Sequence, residues 1–272
     1  MEDIITYTIL KIFTHRHTWK EVITMFKYKK ITLIITAVLV FFSNSFMYAE
    51  SINDEEVFIK NGSRDKKLIA LTFDDGPHPK ETNQVLDVLN KYNVKGTFFI
   101  AGKHANWYPN PLVRASKEGH EIGNHTFNHP DITNLTNAQL EEEILKCEEI
   151  LIKLTGKKPT LFRPPYGSYK QEELASIAKK LNYKIVLWTT VDARDWQNPA
   201  AEVIANKIIN NAKNGDIILL HDYNNLRNKK SQTVQALEIV IPKLKEMGYK
   251  FVTVSELIEN LEKEQTMQKQ YN

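Results

Sequence analysis

Short apolar runs alternate with amphipathic segments along most of the chain, and this alternation constrains the fold more than any other feature. The apolar runs are typical of buried strands, whereas apolar residues at three- and four-residue steps are typical of helices. Seven strands are predicted, at 68–73, 97–100, 121–124, 161–163, 184–190, 216–220 and 250–254. Seven helices are predicted, at about 82–92, 110–118, 136–155, 171–182, 200–213, 231–247 and 255–263. We therefore expect an α/β fold with a parallel sheet, in the form of a closed or nearly closed barrel of about 200 residues.

Composition excludes several classes of protein. Of the 272 residues, 42% are hydrophobic and 25% are charged, which is typical of a globular protein rather than a disordered or collagen-like one. The formal net charge of +3 is too balanced for the basic face of a nucleic-acid-binding protein, so no nucleic-acid partner is expected. Cys147 is the one cysteine, so any metal must be held by histidines and carboxylates.

The amino-terminal part has the pattern of an export signal. A basic cluster at 26–30 precedes the uncharged run 31–42, and small polar residues follow. Even extended to residue 47 the run has 17 residues, fewer than the roughly 20 of a spanning helix. We expect 25–49 to be a signal peptide, with an uncleaved anchor through 31–47 as the alternative. The protein is then secreted or held in the cell envelope, and it meets the membrane only through that anchor.

The other expected boundaries follow from composition. Met25 directly precedes the basic cluster, so we expect it to be the true start and residues 1–24 to be a spurious upstream extension. Residues 50–66 are polar and are expected to form a linker. A single catalytic domain is expected at 67–262, and residues 263–272 are expected to be a polar, frayed tail.

The predicted helix 136–155 has the clearest signals at its ends. Thr136 and Gln139 have the spacing of a capping box, and Gly156 suits the position just past the end of the helix. Apolar residues share one face: Leu140, Ile144, Cys147, Leu151 and Leu154. We interpret Cys147 as a small apolar filler rather than a redox group.

Polar side chains recur where the predicted strands end. In a parallel barrel the active site gathers at the carboxyl ends of the strands. The residues found there are Asp74, Asp75, His125, His129, Arg163, Asp192, Asp195, His221 and Asp222. Unrelated surface residues are not expected to collect so regularly, and the pattern therefore predicts an active site.

Two of these groups suit a metal, although each has a plainer alternative. Asp74 and Asp75 repel each other unless a cation or a base lies between them, but Asp-Gly and Gly-Pro also form ordinary turns. His125 and His129 are four residues apart, and on a helical turn such imidazoles lie one above the other and can ligate one ion. The alternative is a pair of ordinary loop histidines.

Three further residues each have a functional and a structural interpretation. Arg163 opens the stiff segment RPPYG and can orient a carboxylate through two hydrogen bonds, or be a surface arginine in a turn. His221 can transfer a proton with Asp192 or Asp195 as its partner, or be a core histidine bonded to backbone. Trp196 can stack on a sugar or pack in the core.

Taken together, five segments resemble the motifs of the polysaccharide deacetylases, also called the NodB-homology or carbohydrate esterase 4 family. The segments, in order, are TFDDGP (72–77), HTFNH (125–129), RPPYG (163–167), DARDW (192–196) and LLH (219–221). The resemblance covers about residues 66–260. It implies a distorted (β/α)7 barrel in which Asp75, His125 and His129 bind a divalent metal, commonly zinc, with cobalt or nickel as alternatives.

The resemblance also implies roles in catalysis. Asp74 resembles the general base and Arg163 its tether, while His221 resembles the general acid. Asp195 is expected to tune the pKa of His221, with Asp192 as a second candidate for that role.

The remaining implied residues form the substrate pocket. The backbone N–H of Tyr166 is expected in the oxyanion hole, and Trp196 and Leu219 are expected to shape the pocket for the acetyl methyl. An exported enzyme of this kind meets cell-envelope glycans first, so the expected activity is removal of N-acetyl groups from N-acetylglucosamine of peptidoglycan. The alternatives are a chitin or chito-oligosaccharide deacetylase, a non-catalytic glycan-binding protein, and a glycosidase with a carboxylate pair.

Overall fold

The computed structural model describes residues 57–189, 193–223 and 231–271, which belong to one compact unit. The predictions for 1–24 and 25–49, the first part of the expected linker and Asp192 lie outside the described residues. Within the described ranges, no helix has both the length and the apolar character needed to cross a membrane.

Within these ranges the structure alternates strands and helices. The strands are β1 (Phe58–Ile59), β2 (Leu68–Asp74), β3 (Thr97–Ile100), β4 (Glu121–Asn124), β5 (Leu161–Phe162), β6 (Lys184–Val186), β7 (Asp216–His221) and β8 (Lys250–Phe251). The helices are α1 (Glu81–Lys91), α2 (Gly102–Trp107), α3 (Pro109–Lys117), α4 (Asn137–Thr155), α5 (Gln171–Leu181), α6 (Ala201–Asn211), α7 (Gln232–Glu246) and α8 (Val254–Tyr271). Short 3₁₀ turns lie at Ile132–Asn134, Pro165–Gly167 and Asp195–Gln197.

All strand pairs are parallel and form one eight-stranded sheet. The order is β1-β6-β5-β4-β3-β2-β7, and β8 also pairs with β2. The two edges of the sheet approach each other, as two backbone hydrogen bonds show. The N–H of Gly62 donates to the carbonyl of Gly215 at 2.8 Å, and the N–H of Thr189 donates to the carbonyl of Ile217 at 3.1 Å. The predicted α/β fold with a distorted parallel barrel is confirmed.

The core lies between this sheet and the surrounding helices. β2 runs between β3 and β7, and its residues from Ile69 to Asp74 are buried. Phe73 on β2 stacks on Phe98 of β3 with ring centroids 4.9 Å apart. A strand buried on both faces reads as a continuous apolar run, which is why LIALTF was recognisable in the sequence.

Helix α4 has the ends that the sequence predicts. The capping box of Thr136 and Gln139 is present, and Gly156 has the left-handed φ of 74° just past the last turn. Cys147 is fully buried, and burial raises the pKa of its thiol to about 12. Its interpretation as a filler rather than a reactive group is confirmed.

The expected linker 50–66 is wrong for its described part. β1 lies inside it and pairs with β6, with Phe58 opposite Ile185. A two-residue strand is too short to show an alternating pattern, so no local pattern marks it. Helix α2 was missed for the same reason, since six residues show too little helical periodicity.

Strand β6 ends at Val186, whereas a strand over 184–190 was predicted. The carbonyls of Val186 and Leu187 each accept a hydrogen bond from the guanidinium of Arg163, at 3.2 Å. A side chain therefore takes the place of a neighbouring strand at the point where the predicted strand would have continued.

The carboxyl-terminal region also differs from expectation. The predicted strand 250–254 stops at Phe251, because Thr253 and Glu256 exchange side-chain and backbone hydrogen bonds as a capping box that starts α8. The helix continues to Tyr271 and so includes most of the expected polar tail at 263–272. Glu, Lys and Gln are good helix formers, and they allow a polar sequence to stay helical.

Candidate active site

The strand register brings the predicted site residues to one edge of the sheet. Asp74, the last residue of β2, is the register partner of His221, the last residue of β7. β4 ends directly before His125, and β5 ends directly before Arg163. The carboxyl ends of parallel strands thus supply all of these groups to the same side of the barrel.

A buried guanidinium holds one oxygen of Asp74. Nη1 of Arg163 donates to Oδ1 of Asp74 at 2.6 Å and to Oγ1 of Thr72 at 2.8 Å. Arg163 is 0% exposed, so it is not the surface arginine of the plainer interpretation. Burial lowers the pKa of Arg163, and the Asp74 carboxylate opposes that shift. Charge-assisted hydrogen bonds of this kind fix the orientation of a carboxylate.

Asp75, His125 and His129 converge on a common point. Oδ1 of Asp75 lies 3.5 Å from Nε2 of His125 and 3.0 Å from Nε2 of His129. One ligand atom from each residue lies within 4.8 Å of the other two. The segment between the histidines is a loop rather than a helical turn, with φ values of 64° at Thr126 and 59° at His129. The helical reasoning behind this pair was wrong, although the imidazoles do meet.

The donor atoms of this cluster fit a divalent cation. Oδ1 of Asp75 is buried and accepts no hydrogen bond, although two imidazoles face it. Nδ1 of His125 lies 2.7 Å from the carbonyl oxygen of Arg163, to which it must donate, so Nε2 keeps its lone pair. An orphaned buried carboxylate oxygen beside imidazole nitrogens is the donor set of a zinc-type site.

The charges in this cluster also favour a cation. Burial raises the pKa of Asp75, but the nearby imidazoles of His125 and His129 outweigh it and hold the pKa below its usual range. Burial lowers the pKa of His129, but Asp75 outweighs it and raises the pKa overall. An ionised Asp75 therefore attracts positive charge to the point that the two imidazoles face.

His221 and Asp195 form the second ionisable pair. Nδ1 of His221 lies 2.8 Å from Oδ1 of Asp195, and the backbone N–H of His221 donates to Oδ2 at 2.8 Å. Thr233 donates a further hydrogen bond to Oδ2, also at 2.8 Å. Burial lowers the pKa of His221, but the hydrogen bond and charge of Asp195 outweigh it and raise the pKa to about 9. The interpretation of His221 as a core histidine bonded to backbone does not hold.

The predicted pocket residues differ in their exposure. Tyr166 is 67% exposed, has a left-handed φ of 60°, and its ring lies 4.7 Å from the ring of His129. Trp196 is 53% exposed, which excludes the core-packing interpretation. Leu219 on β7 is buried. Two large aromatic side chains are thus free to contact a ligand.

One buried carboxylate was not assigned a role from the sequence. Asp222 accepts hydrogen bonds from the N–H of Gly76 at 3.1 Å and from Oγ1 of Thr82 at 2.6 Å. A Cβ at Gly76 would overlap this carboxylate, so the turn after Asp75 needs glycine there. Burial raises the pKa of Asp222 to about 7. Its position directly after His221 was the signal that could have found it.

A second overlooked residue holds the backbone of Asp75. Nδ1 of His104 lies 2.6 Å from the carbonyl oxygen of Asp75, and its ring stacks on Tyr223 at 3.9 Å. No motif marks His104, because helix α2 itself was not predicted. The cluster of Asp75, His125 and His129, called the metal-type cluster below, is therefore also held by contacts from outside the five motifs.

Comparisons with known proteins place the chain in a family. The profile of the family described as polysaccharide deacetylase matches residues 61–186. A peptidoglycan-N-acetylglucosamine deacetylase of Bacillus cereus is 48% identical over 194 residues, which cover 71% of this chain and 89% of that relative. The solved structure of the Bc1960 peptidoglycan N-acetylglucosamine deacetylase has a TM-score of 0.71 at 38% identity and covers 75% of this chain and 93% of that one.

A further solved structure has the same fold without the activity. BA3943 of Bacillus anthracis, a family pseudoenzyme, has a TM-score of 0.69 at 29% identity and covers 75% of this chain and 69% of that one.

The fold and the site together define a hydrolase with a parallel α/β barrel. The chain belongs to the polysaccharide deacetylase family and is a polysaccharide deacetylase.

Proposed function

We propose that this protein removes N-acetyl groups from N-acetylglucosamine residues of cell-wall peptidoglycan in a metal-dependent hydrolysis that releases acetate. One observation carries the proposal, namely the grouping of three kinds of side chain at one site. The buried Oδ1 of Asp75 accepts no hydrogen bond and faces the imidazoles of His125 and His129. Beside it lie the carboxylate of Asp74, which Arg163 orients, and the pair formed by His221 and Asp195. The named peptidoglycan deacetylases among the relatives support this choice of substrate.

Asp75, His125 and His129 would hold the metal, which we propose to be zinc, with cobalt or nickel as substitutes. These metals share such ligands, and availability often decides between them. When bound there, the ion would polarise the acetamide carbonyl and lower the pKa of the attacking water.

Asp74 acts as the general base. Its Oδ1 is occupied by Arg163, whereas Oδ2 lies 3.8 Å from Nε2 of His125 and so faces the cluster. Asp74 accepts a proton from water as the water oxygen attacks the acetamide carbon. Arg163 keeps this carboxylate oriented throughout.

His221 acts as the general acid. An amine leaves poorly until its nitrogen is protonated, and His221 with a pKa of about 9 carries a proton at neutral pH. It gives that proton to the amide nitrogen as the C–N bond breaks, and Asp195 stabilises the charged imidazolium beforehand. The products are acetate and a glucosamine with a free amine.

Three residues are proposed to bind the reacting sugar. The backbone N–H of Tyr166 donates to the developing oxyanion, and Trp196 and Leu219 enclose the acetyl methyl. One well-placed oxyanion donor is worth about 3–4 kcal/mol.

Acetate release tests the proposal. Purified protein is given peptidoglycan and, separately, N-acetylglucosamine oligomers, with and without a chelator. Chelator-sensitive acetate release from peptidoglycan, with deacetylated muropeptides that identify the sugar, supports the proposal. Release from the oligomers alone favours the chitin-type alternative, and new reducing ends indicate a glycosidase. Binding without acetate release indicates a glycan-binding protein without the activity; BA3943 shows that the family includes pseudoenzymes.

We also propose that the protein acts outside the cytoplasm, since its sequence at 25–49 has the pattern of a signal peptide. The experiment is fractionation of cells that produce the protein, with sequencing of the mature amino terminus. A terminus near residue 50 supports cleavage, and an intact 31–47 in the membrane fraction supports the anchor. Full-length protein in the cytoplasm would contradict export.

A further inference from the structure

The loop that carries both histidine ligands has an unfavourable backbone. Thr126 and His129 have φ values of 64° and 59°, in the left-handed region that a β-branched residue such as Thr126 rarely adopts. Such conformations persist only where the surroundings over-determine them. Some contact outside the loop must therefore hold it in place.

Backbone N–H groups of α2 hold two carbonyls of the loop, since Gly102 donates to Thr126 and Lys103 to Phe127, both at 2.9 Å. A carboxylate on α4 supplies the contact to the N–H groups of the loop. Oε2 of Glu143 accepts hydrogen bonds from the backbone N–H groups of Phe127 at 3.1 Å and Asn128 at 2.8 Å. Oε1 accepts from Nδ2 of Asn128 at 2.6 Å. One ionised side chain thus satisfies successive backbone donors at the middle of the loop, between the two histidines.

The same helix holds the start of the loop. Nδ2 of the buried Asn124 donates to the carbonyl of Ile144, the residue after Glu143, at 2.9 Å. Oδ1 of Asn124 accepts from the N–H of Thr126 at 2.9 Å. Lys146 lies over the ring of Phe127 at 4.1 Å, so α4 contacts the segment from a third position.

We propose that Glu143 is a positioning residue that holds the 125–129 loop in its metal-binding conformation. The inference rests on the proposed metal site. Glu143 binds neither the metal nor the sugar, and it acts through the backbone that aims the imidazole of His129. Outer contacts of this kind typically change metal affinity by about 10–100-fold when removed.

The test compares three variants. Glu143→Ala removes both acceptor oxygens. Glu143→Gln replaces one oxygen by an NH₂ group, which cannot accept a hydrogen bond from the N–H groups of the loop. Glu142→Gln is the matched control, because Glu142 is the exposed neighbour on the same helix. The affinity of each protein for zinc is measured by competition with a chromophoric chelator, and the cobalt-loaded absorption spectrum reports the coordination geometry.

We expect Glu143→Ala to bind zinc about 10–100-fold more weakly, Glu143→Gln to lie between it and the wild type, and the control to match the wild type. The cobalt spectrum changes only in the Glu143 variants, which a purely structural role would leave alone. Saturating metal restores most of the turnover.

Wild-type affinity in both folded Glu143 variants would overturn the inference while leaving the proposed function intact. If Glu143→Ala does not fold, as judged by circular dichroism, Glu143→Gln decides. A wild-type protein that binds no metal would contradict both proposals.

Discussion

Asp74 and Asp75 are adjacent in sequence and both face His125, yet their carboxylates have different hydrogen-bond partners. Asp74 accepts a hydrogen bond from the buried Arg163, whereas Oδ1 of Asp75 faces two imidazoles without accepting a hydrogen bond. Side chains alternate along an extended strand, and the left-handed φ of 74° at Asp75 turns the chain further. This geometry lets neighbouring residues serve as base and ligand.

Asp74→Asn is expected to keep the metal and lose turnover. An amide cannot accept the proton from water, and general-base catalysis is worth about 10²–10⁴-fold in rate. The measurement is kcat on peptidoglycan, with metal content determined on the same sample. Turnover close to that of the wild type would remove Asp74 as the base.

Asp195→Asn is expected to move the alkaline limb of the pH–rate profile to lower pH. His221 must be protonated to act, so activity falls as pH rises through its pKa of about 9. Without the Asp195 charge this pKa falls towards its ordinary value of 6.5. The stability gained from the raised pKa is present in full below pH 6.5 and is lost as pH rises through about 9. An unchanged alkaline limb would contradict this role.

The site was predictable to the extent that its residues lie in motifs at strand ends. Asp75, His125 and His221 carry a chemical signal in the sequence, because few other residue types ligate metals or transfer protons. Glu143 carries none, since a glutamate on a helix is usually solvated, and His104 lies outside the five motifs, in which the other histidines of the site are found. Their roles depend on tertiary contacts that no local pattern records.

At the scale of elements, α4 is the support of the metal-type cluster as well as a packing helix. Its amino-terminal capping box was visible in the sequence because it is local in the chain. The end of β6 was not, because the guanidinium of Arg163, which is distant in the sequence, binds the carbonyls at that point. Elements governed by local signals were predicted well, and elements ended by distant side chains were not.

Thr136→Ala is expected to lower the free energy of unfolding by about 1 kcal/mol, because it removes the acceptor for the N–H of Gln139. Urea denaturation followed by circular dichroism measures the change. Thr136→Ser keeps the hydroxyl and is the control, so it should retain most of the stability. Equal losses in both variants would show that the cap is not the cause.

At the scale of the whole molecule, the barrel joins distant parts of the chain at one site. Asp75 follows β2, the histidine loop follows β4, and His221 ends β7. A cation bound at Asp75, His125 and His129 therefore links separate parts of the folded chain. Binding to the native state alone stabilises it by mass action.

Zinc is expected to raise the midpoint of thermal unfolding and a chelator to lower it. A metal at about 100 times its Kd adds about 2.7 kcal/mol, which corresponds to a shift of about 5–10 °C for a domain of this size. Differential scanning calorimetry measures the shift. His125→Ala should lose both the shift and the activity, and a full metal complement in that variant would show that the ligands are misassigned.

The pairing of Asp74 with His221 across β2 and β7 has a further consequence. The separation of their backbones is set by the spacing of adjacent strands, about 4.8 Å. Loops at the barrel rim can therefore lengthen, shorten or change sequence without altering the distance between these two backbone positions. The residues that contact the polymer at the rim can therefore vary while the backbone positions of the proposed base and acid stay fixed.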